Sequence, residues 1–72
     1  MEAGLIAIGA GLAVGLAGIA TGYAQGHIGS AGVGAVAEKP ELLGNIILLI
    51  AIPETVLILG FAVAAMIILL LA

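Results

Sequence analysis

The chain contains two long runs of apolar residues separated by one short charged segment. No charged or strongly polar side chain occurs in residues 3–20 or in residues 56–72. Each run is long enough to form a helix that spans a bilayer with a hydrocarbon core about 30 Å thick. The pattern therefore predicts an all-α membrane protein with two transmembrane helices.

The charged segment between the two runs consists of Glu38, Lys39, Pro40 and Glu41. Proline fits the first turn of a helix, because the N–H that it lacks has no helical partner there. We therefore predict a single hairpin with helix 1 at about residues 3–37, a polar loop at about 38–40 and helix 2 at about 41–71. At about 1.5 Å per residue the helices are roughly 50 and 46 Å long, so both project beyond the hydrocarbon core.

Composition and charge support a membrane location. Hydrophobic residues make up 65% of the 72 residues and charged residues only 7%, whereas a soluble domain is about one quarter charged. A soluble globular fold is therefore excluded. The formal net charge of -3 comes with a single basic residue, which excludes nucleic acid as a partner, because no basic patch can neutralise phosphates.

Helix 1 is rich in small residues that recur at spacings of four and seven. The glycines expected to pack against other helices are Gly11, Gly15, Gly18, Gly22, Gly26 and Gly29. Positions without side chains let helix backbones approach closely in a membrane. Glycine on more than one face predicts more than one close neighbour, as in a ring of identical helices; a two-helix dimer is the alternative. The side chains of helix 2 are bulky and branched, and this helix is expected to face lipid.

Glu54 is an acidic residue deep within helix 2. An unpaired carboxylate is expensive inside a bilayer, so a residue of this kind usually marks an ion pathway. Glu54 is therefore the candidate ion carrier, and a protonated carboxyl that only links two helices by a hydrogen bond is the alternative. Pro53, directly before it, has no N–H and predicts a kink in helix 2.

Gln25 and Thr55 are the polar side chains expected beside Glu54. Gln25 lies as far from the turn as Glu54, about 22 Å along the axis, and shares a face with several of the glycines. Its amide is therefore expected to reach a carboxyl on a neighbouring helix, or to form a purely structural bond. Oxygens of Glu, Gln and Thr side chains suit Na⁺, although Thr55 can instead bond to its own helix. His27 is about 200° from Gln25 around the helix, which disfavours a shared site.

The whole chain resembles the rotor-ring proteolipids of rotary ATP synthases, known as the c, K or L subunits. The resemblance rests on the Gly/Ala-rich segment 9–18, on Ala24-Gln25-Gly26, on the loop at residues 37–41 and on Ile52-Pro53-Glu54-Thr55. The Pro-Glu-Thr sequence and the 14 residues from Pro40 to Glu54 look most like the archaeal and bacterial V/A-type branch. The loop arginine usual in the F-type branch is absent, and Lys39 stands nearest to its place.

The resemblance implies a homo-oligomeric ring with helix 1 inside and helix 2 outside. Glu54 would take an ion from a half-channel in a stator membrane subunit and release it past an essential stator arginine. Ion flow would rotate the ring with the central stalk, which the loop at residues 38–41 contacts, and so couple transport to ATP synthesis or hydrolysis. The resemblance also implies that the protein itself is not catalytic, and that the backbone carbonyl of Ile52 joins Gln25, Glu54 and Thr55 as a ligand.

The transported ion is expected to be H⁺, with Na⁺ as the alternative. Leu59 stands where sodium-binding members of the family often carry a tyrosine. Without that hydroxyl, Glu54 loses one donor that would hold its carboxylate closed around Na⁺. No resident cofactor is implied.

The sequence also suggests a location and a competing function. The lone Lys39 favours a cytoplasmic loop, with both termini outside a prokaryotic cell membrane. The competing class is a non-rotary protein, either a holin-like pore or a small two-helix transporter. A pore is expected to line its lumen with several polar positions, whereas this chain offers one acid and one amide at a single depth.

Overall fold

Two antiparallel helices joined by a tight turn make up the computed structural model, which describes residues 2–72. Helix α1 spans Ala3–Glu38, a 3₁₀ turn spans Pro40–Leu42, and helix α2 spans Leu43–Leu71. The hairpin measures 55 × 15 × 8 Å. The predicted all-α, two-helix hairpin is confirmed.

The chain reverses at Lys39, and the turn differs slightly from the sequence prediction. Lys39 has φ -134° and ψ 87°, outside the helical region, because a residue before proline is pushed out of the α conformation. Its N–H still donates to the Ala35 carbonyl at 2.8 Å, and its own carbonyl accepts the Leu42 N–H at 2.9 Å. Helix α1 therefore runs one residue further than expected, and α2 begins only after the 3₁₀ turn.

Both helices are long and apolar enough to cross a membrane. Only three apolar side chains among residues 2–72 are buried within the hairpin: Ile6, Ala10 and Ala64. The large apolar side chains of both helices are mostly exposed. In water such a surface would drive aggregation, whereas in a bilayer lipid or further helices cover it. The chain is a membrane protein.

The two helices approach most closely where a glycine faces the other helix. A Cβ placed on Gly60 would lie 2.5 Å from the Ala17 Cβ and 3.0 Å from the Ala13 carbonyl oxygen, and one on Gly32 would overlap the Ile46 side chain. By contrast, a Cβ meets nothing within 4 Å at five of the glycines that the sequence singles out: Gly11, Gly15, Gly22, Gly26 and Gly29. At Gly18 it would meet only Leu57, at 3.7 Å. The contact inside the hairpin therefore uses Gly32 and Gly60 and leaves most of the glycine pattern of α1 free.

Gly60→Ala is expected to destabilise the hairpin by about 1–3 kcal/mol, because the added methyl group overpacks a backbone contact. Gly34→Ala is the matched control, since a Cβ there meets nothing within 4 Å and alanine favours the helix. The measurement is unfolding followed by circular dichroism in a detergent that keeps the chains monomeric. Equal stability of the two variants would contradict the close approach at Gly60.

Candidate functional site

Gln25 joins the two helices by two hydrogen bonds in the middle of the apolar spans. The Gln25 Nε2 atom on α1 donates to the Glu54 Oε2 atom on α2 at 2.9 Å and to the Ile50 carbonyl at 3.1 Å. Both side chains are half-buried. The amide nitrogen carries two protons, so both have an acceptor. The two side chains meet at matched depth, with the carboxyl on the neighbouring helix of the same hairpin.

Three side chains donate hydrogen bonds to carbonyls of the α2 segment around Pro53. Besides Gln25, the Thr21 Oγ1 atom donates to the Pro53 carbonyl at 3.0 Å, and the Thr55 Oγ1 atom donates to the Ile52 carbonyl at 2.8 Å. Helix α2 continues through Pro53, although the proline offers no N–H for the carbonyl four residues earlier. The acceptors are the carbonyls of Ile50, Ile52 and Pro53; the Leu49 carbonyl, which lies four residues before Pro53, is not among them.

The four predicted ion ligands form two separate pairs in this structure. Glu54 is joined to Gln25 across the hairpin, whereas the exposed Thr55 is joined to the Ile52 carbonyl within its own helix. Adjacent residues are about 100° apart around a helix, so Thr55 and Glu54 leave α2 in different directions. The Thr55 hydroxyl thus bonds to its own helix, which the sequence leaves open as the alternative to ion binding. A site that uses all four groups together stays a prediction.

Thr21 contacts the site, although it is not among the residues predicted from the sequence. Only 3% of its surface is exposed, and it is the buried polar residue of the described chain. It lies four residues before Gln25, so the two side chains occupy one face of α1. That spacing is the sequence signal that would have identified Thr21.

His27 lies apart from this cluster. Its ring packs edge-on against the ring of Tyr23, with centroids 4.4 Å apart and an angle of 67° between the planes. Tyr23 is 71% exposed, and His27 is exposed as well. Within residues 2–72, no three His, Asp or Glu side chains are placed to share a metal ion.

Charge is distributed so that Glu54 stands alone in the apolar spans. Glu38, Lys39 and Glu41 are exposed at the turn, and Glu2 is exposed at the other end of the hairpin. The turn is about 22 Å from Glu54 along the helix axis. The Gln25 amide is therefore the polar group that the structure provides to replace water at this carboxyl, an arrangement that suits reversible binding of a small cation or a proton.

A family model described as the ATP synthase C subunit matches residues 8–67. The match covers most of the chain and includes both Gln25 and Glu54. The chain belongs to the ATP synthase C-subunit family.

Curated members of this family are similar over most of the chain. The K subunit of the A-type ATP synthase of Methanocaldococcus jannaschii is 48% identical over 61 residues, which are 85% of this chain and 28% of that protein. The c subunit of the V-type proton ATPase of Candida tropicalis is 44% identical over 61 residues, 85% of this chain and 38% of that protein. The 16 kDa proteolipid of the V-type proton ATPase of Homo sapiens is 44% identical over 57 residues, 79% of this chain and 37% of that protein. The chain thus spans less than two-fifths of the length of these relatives.

Gln25→Met is expected to destabilise the hairpin by about 1–3 kcal/mol, because it leaves the Glu54 carboxyl and the Ile50 carbonyl without their donor at nearly constant side-chain volume. Thr55→Val is the matched control, since Thr55 is exposed and bonds only within α2. Thermal unfolding in detergent compares the two. A Gln25→Met variant no less stable than the Thr55→Val control would contradict a stabilising cross-helix bond.

Proposed function

We propose that this chain is the ion-carrying rotor-ring component of a rotary ATP synthase or ATPase, in which Glu54 binds and releases the transported ion. The observation that carries the proposal is the hydrogen bond between Gln25 and Glu54 in the middle of two membrane-spanning helices. A carboxyl at this depth is energetically costly, and such residues usually mark ion pathways. The protein makes and breaks no covalent bond in a substrate; it converts ion flow into rotation.

The pairing of Gln25 with Glu54 suits a carrier that alternates between two states. With an ion or proton bound, the carboxyl is neutral overall and can pass the lipid at low cost. Once the ion has left, the amide N–H can stabilise the carboxylate, and an arginine of the stator would favour the same form. One charge that crosses 100 mV yields about 2.3 kcal/mol, so several hairpins must each move an ion for every ATP made.

We propose H⁺ as the transported ion. The word proton stands in the names of the V-type relatives. In this chain the Thr55 hydroxyl donates to the Ile52 carbonyl within α2, so a Na⁺ site that includes Thr55 and Glu54 together would require the Thr55 side chain to change its rotamer. Leu59 supplies no further donor in place of a tyrosine. A proton needs only the carboxyl itself and a neighbour that orients it.

Identical hairpins would pack through the sides of α1 that the hairpin leaves open. At about 100° per residue, Gly11, Gly18, Gly22 and Gly29 lie roughly a quarter turn to one side of Thr21, while Ala13, Ala20 and Ala31 lie a quarter turn to the other. Packing the glycine side of one copy against the alanine side of the next is a head-to-tail contact, and repeated contacts of this kind close into a ring. Helix α1 would then line the inside of the ring and α2 would face the lipid and the stator.

The charged turn would contact the central stalk. Its exposed side chains are Glu38, Lys39 and Glu41, beside Pro40. The positive-inside tendency of Lys39 favours a turn in the cytoplasm and both helix ends at the outer side of a prokaryotic cell membrane. The rotating ring would thus transmit torque to the soluble head through the turn.

Glu54→Gln is expected to abolish ATP-driven ion uptake by membrane vesicles in which this chain forms the rotor ring. The reason is that a side-chain amide neither takes up nor releases a proton near neutral pH. The oligomer itself is expected to keep its mass in native mass spectrometry, because glutamine has nearly the same volume as glutamate. Glu2→Gln is the matched control and should leave uptake unchanged, because Glu2 is exposed at the end of the hairpin opposite the turn. Normal uptake by the Glu54 variant, or an ion leak independent of ATP, would overturn the carrier assignment and favour a pore.

A further inference from the structure

Thr21 forms a further cross-helix hydrogen bond one helical turn from Gln25. Its hydroxyl donates to the Pro53 carbonyl at 3.0 Å, and only 3% of the residue is exposed. The carbonyl carbon of Pro53 is bonded to the backbone nitrogen of Glu54, so Thr21 holds the peptide group from which Glu54 extends. A carbonyl has two lone pairs and can accept a side-chain donor in addition to a helical one.

Thr21 and Gln25 together attach α1 to α2 at two points. Thr21 contacts the Pro53 carbonyl, and Gln25 contacts the Ile50 carbonyl, one turn of α2 away. A single contact would leave α2 free to rotate about its axis or to slide along α1. Two contacts spaced by one turn on each helix restrict both movements. The second proton of the Gln25 amide is then aligned with the Glu54 carboxyl.

The attachment matters because α2 is weakened at this place. Proline removes a backbone hydrogen bond and makes the helix easier to bend at the preceding turn. Bending of α2 at this place would move Glu54 relative to Gln25. Tyr23 and His27, the titratable side chains nearest to Thr21 on α1, contact each other, whereas the side-chain donor to the Glu54 carboxyl is Gln25.

We propose that Thr21 is a positioning residue for ion binding: by holding the Pro53 carbonyl, it fixes the depth and rotation of Glu54 against the Gln25 amide. This inference rests on the proposed function of Glu54 as the ion carrier. When the carboxyl turns away to exchange its ion, the Thr21 bond remains and keeps the backbone at Glu54 in position. The side chain can then return to the Gln25 amide. The alternative is that Thr21 only adds to the stability of the hairpin.

The test compares Thr21→Val, which keeps the shape and removes the hydroxyl, with Thr21→Ser, which keeps the hydroxyl. The readout is the rate at which dicyclohexylcarbodiimide modifies Glu54 in the detergent-purified oligomer at fixed pH, followed by mass spectrometry. The valine variant is expected to react about fivefold faster, the factor that corresponds to one net hydrogen bond. The serine variant is expected to react at the wild-type rate. Thr21→Ala serves as a second hydroxyl-free variant with the same expected ratio.

A double-mutant cycle separates positioning from general stability. If Thr21 acts by holding Glu54 on the Gln25 amide, Thr21→Val should not change the labelling rate further in a Gln25→Met background. An equal acceleration in both backgrounds would show that Thr21 only tightens the hairpin and would overturn the proposal, as would a wild-type rate in both hydroxyl-free variants. Failure of the carrier assignment itself is judged separately, by ion uptake in the Glu54→Gln variant with Thr21 intact.

Discussion

A hydrocarbon environment leaves no water to satisfy polar groups, and this constraint governs the structure around Glu54. Every buried backbone or side-chain polar group must find its partner within the protein. The sequence makes this harder by placing a proline directly before the acid. Around this place the amide of Gln25 and the hydroxyls of Thr21 and Thr55 donate to oxygens of the segment from Ile50 to Glu54.

The close packing of the helices makes these short bonds possible. Gly60 meets Ala17 on one side of the polar cluster, and Gly32 meets Ile46 on the other. Both contacts depend on the absence of a side chain, and together they hold the backbones near enough for Thr21 and Gln25 to reach carbonyls of α2. Packing and chemistry are thus linked, because a larger residue at either glycine would separate the donors from their acceptors.

The sequence predicts the larger features of this arrangement because they depend on strong local signals. Two uncharged runs, a charged turn with a proline, and an acid and an amide equally far from that turn are sufficient for the hairpin and for the contact between Gln25 and Glu54. The role of Thr21 and the importance of Gly32 and Gly60 are not predicted. In helices that are apolar on every side, periodicity does not show which face meets the partner. The choice of Thr55 between its own helix and the ion site depends on a rotamer, which the residue pattern does not determine.

Whether Glu54 carries protons through the membrane is tested most directly by dicyclohexylcarbodiimide. The measurement maps which carboxyls the reagent modifies in the wild-type oligomer across a range of pH. This reagent attacks protonated carboxyls in apolar surroundings. We predict one adduct, on Glu54, whose rate of formation falls as the pH rises and does not respond to Na⁺. Slower modification of Glu54 in the presence of Na⁺ would support Glu54 as the ion carrier, but with Na⁺ rather than H⁺ as the transported ion. Adducts mainly on Glu2, Glu38 or Glu41, or a Glu54 rate that does not depend on pH, would contradict a proton-carrying carboxyl in the middle of the membrane.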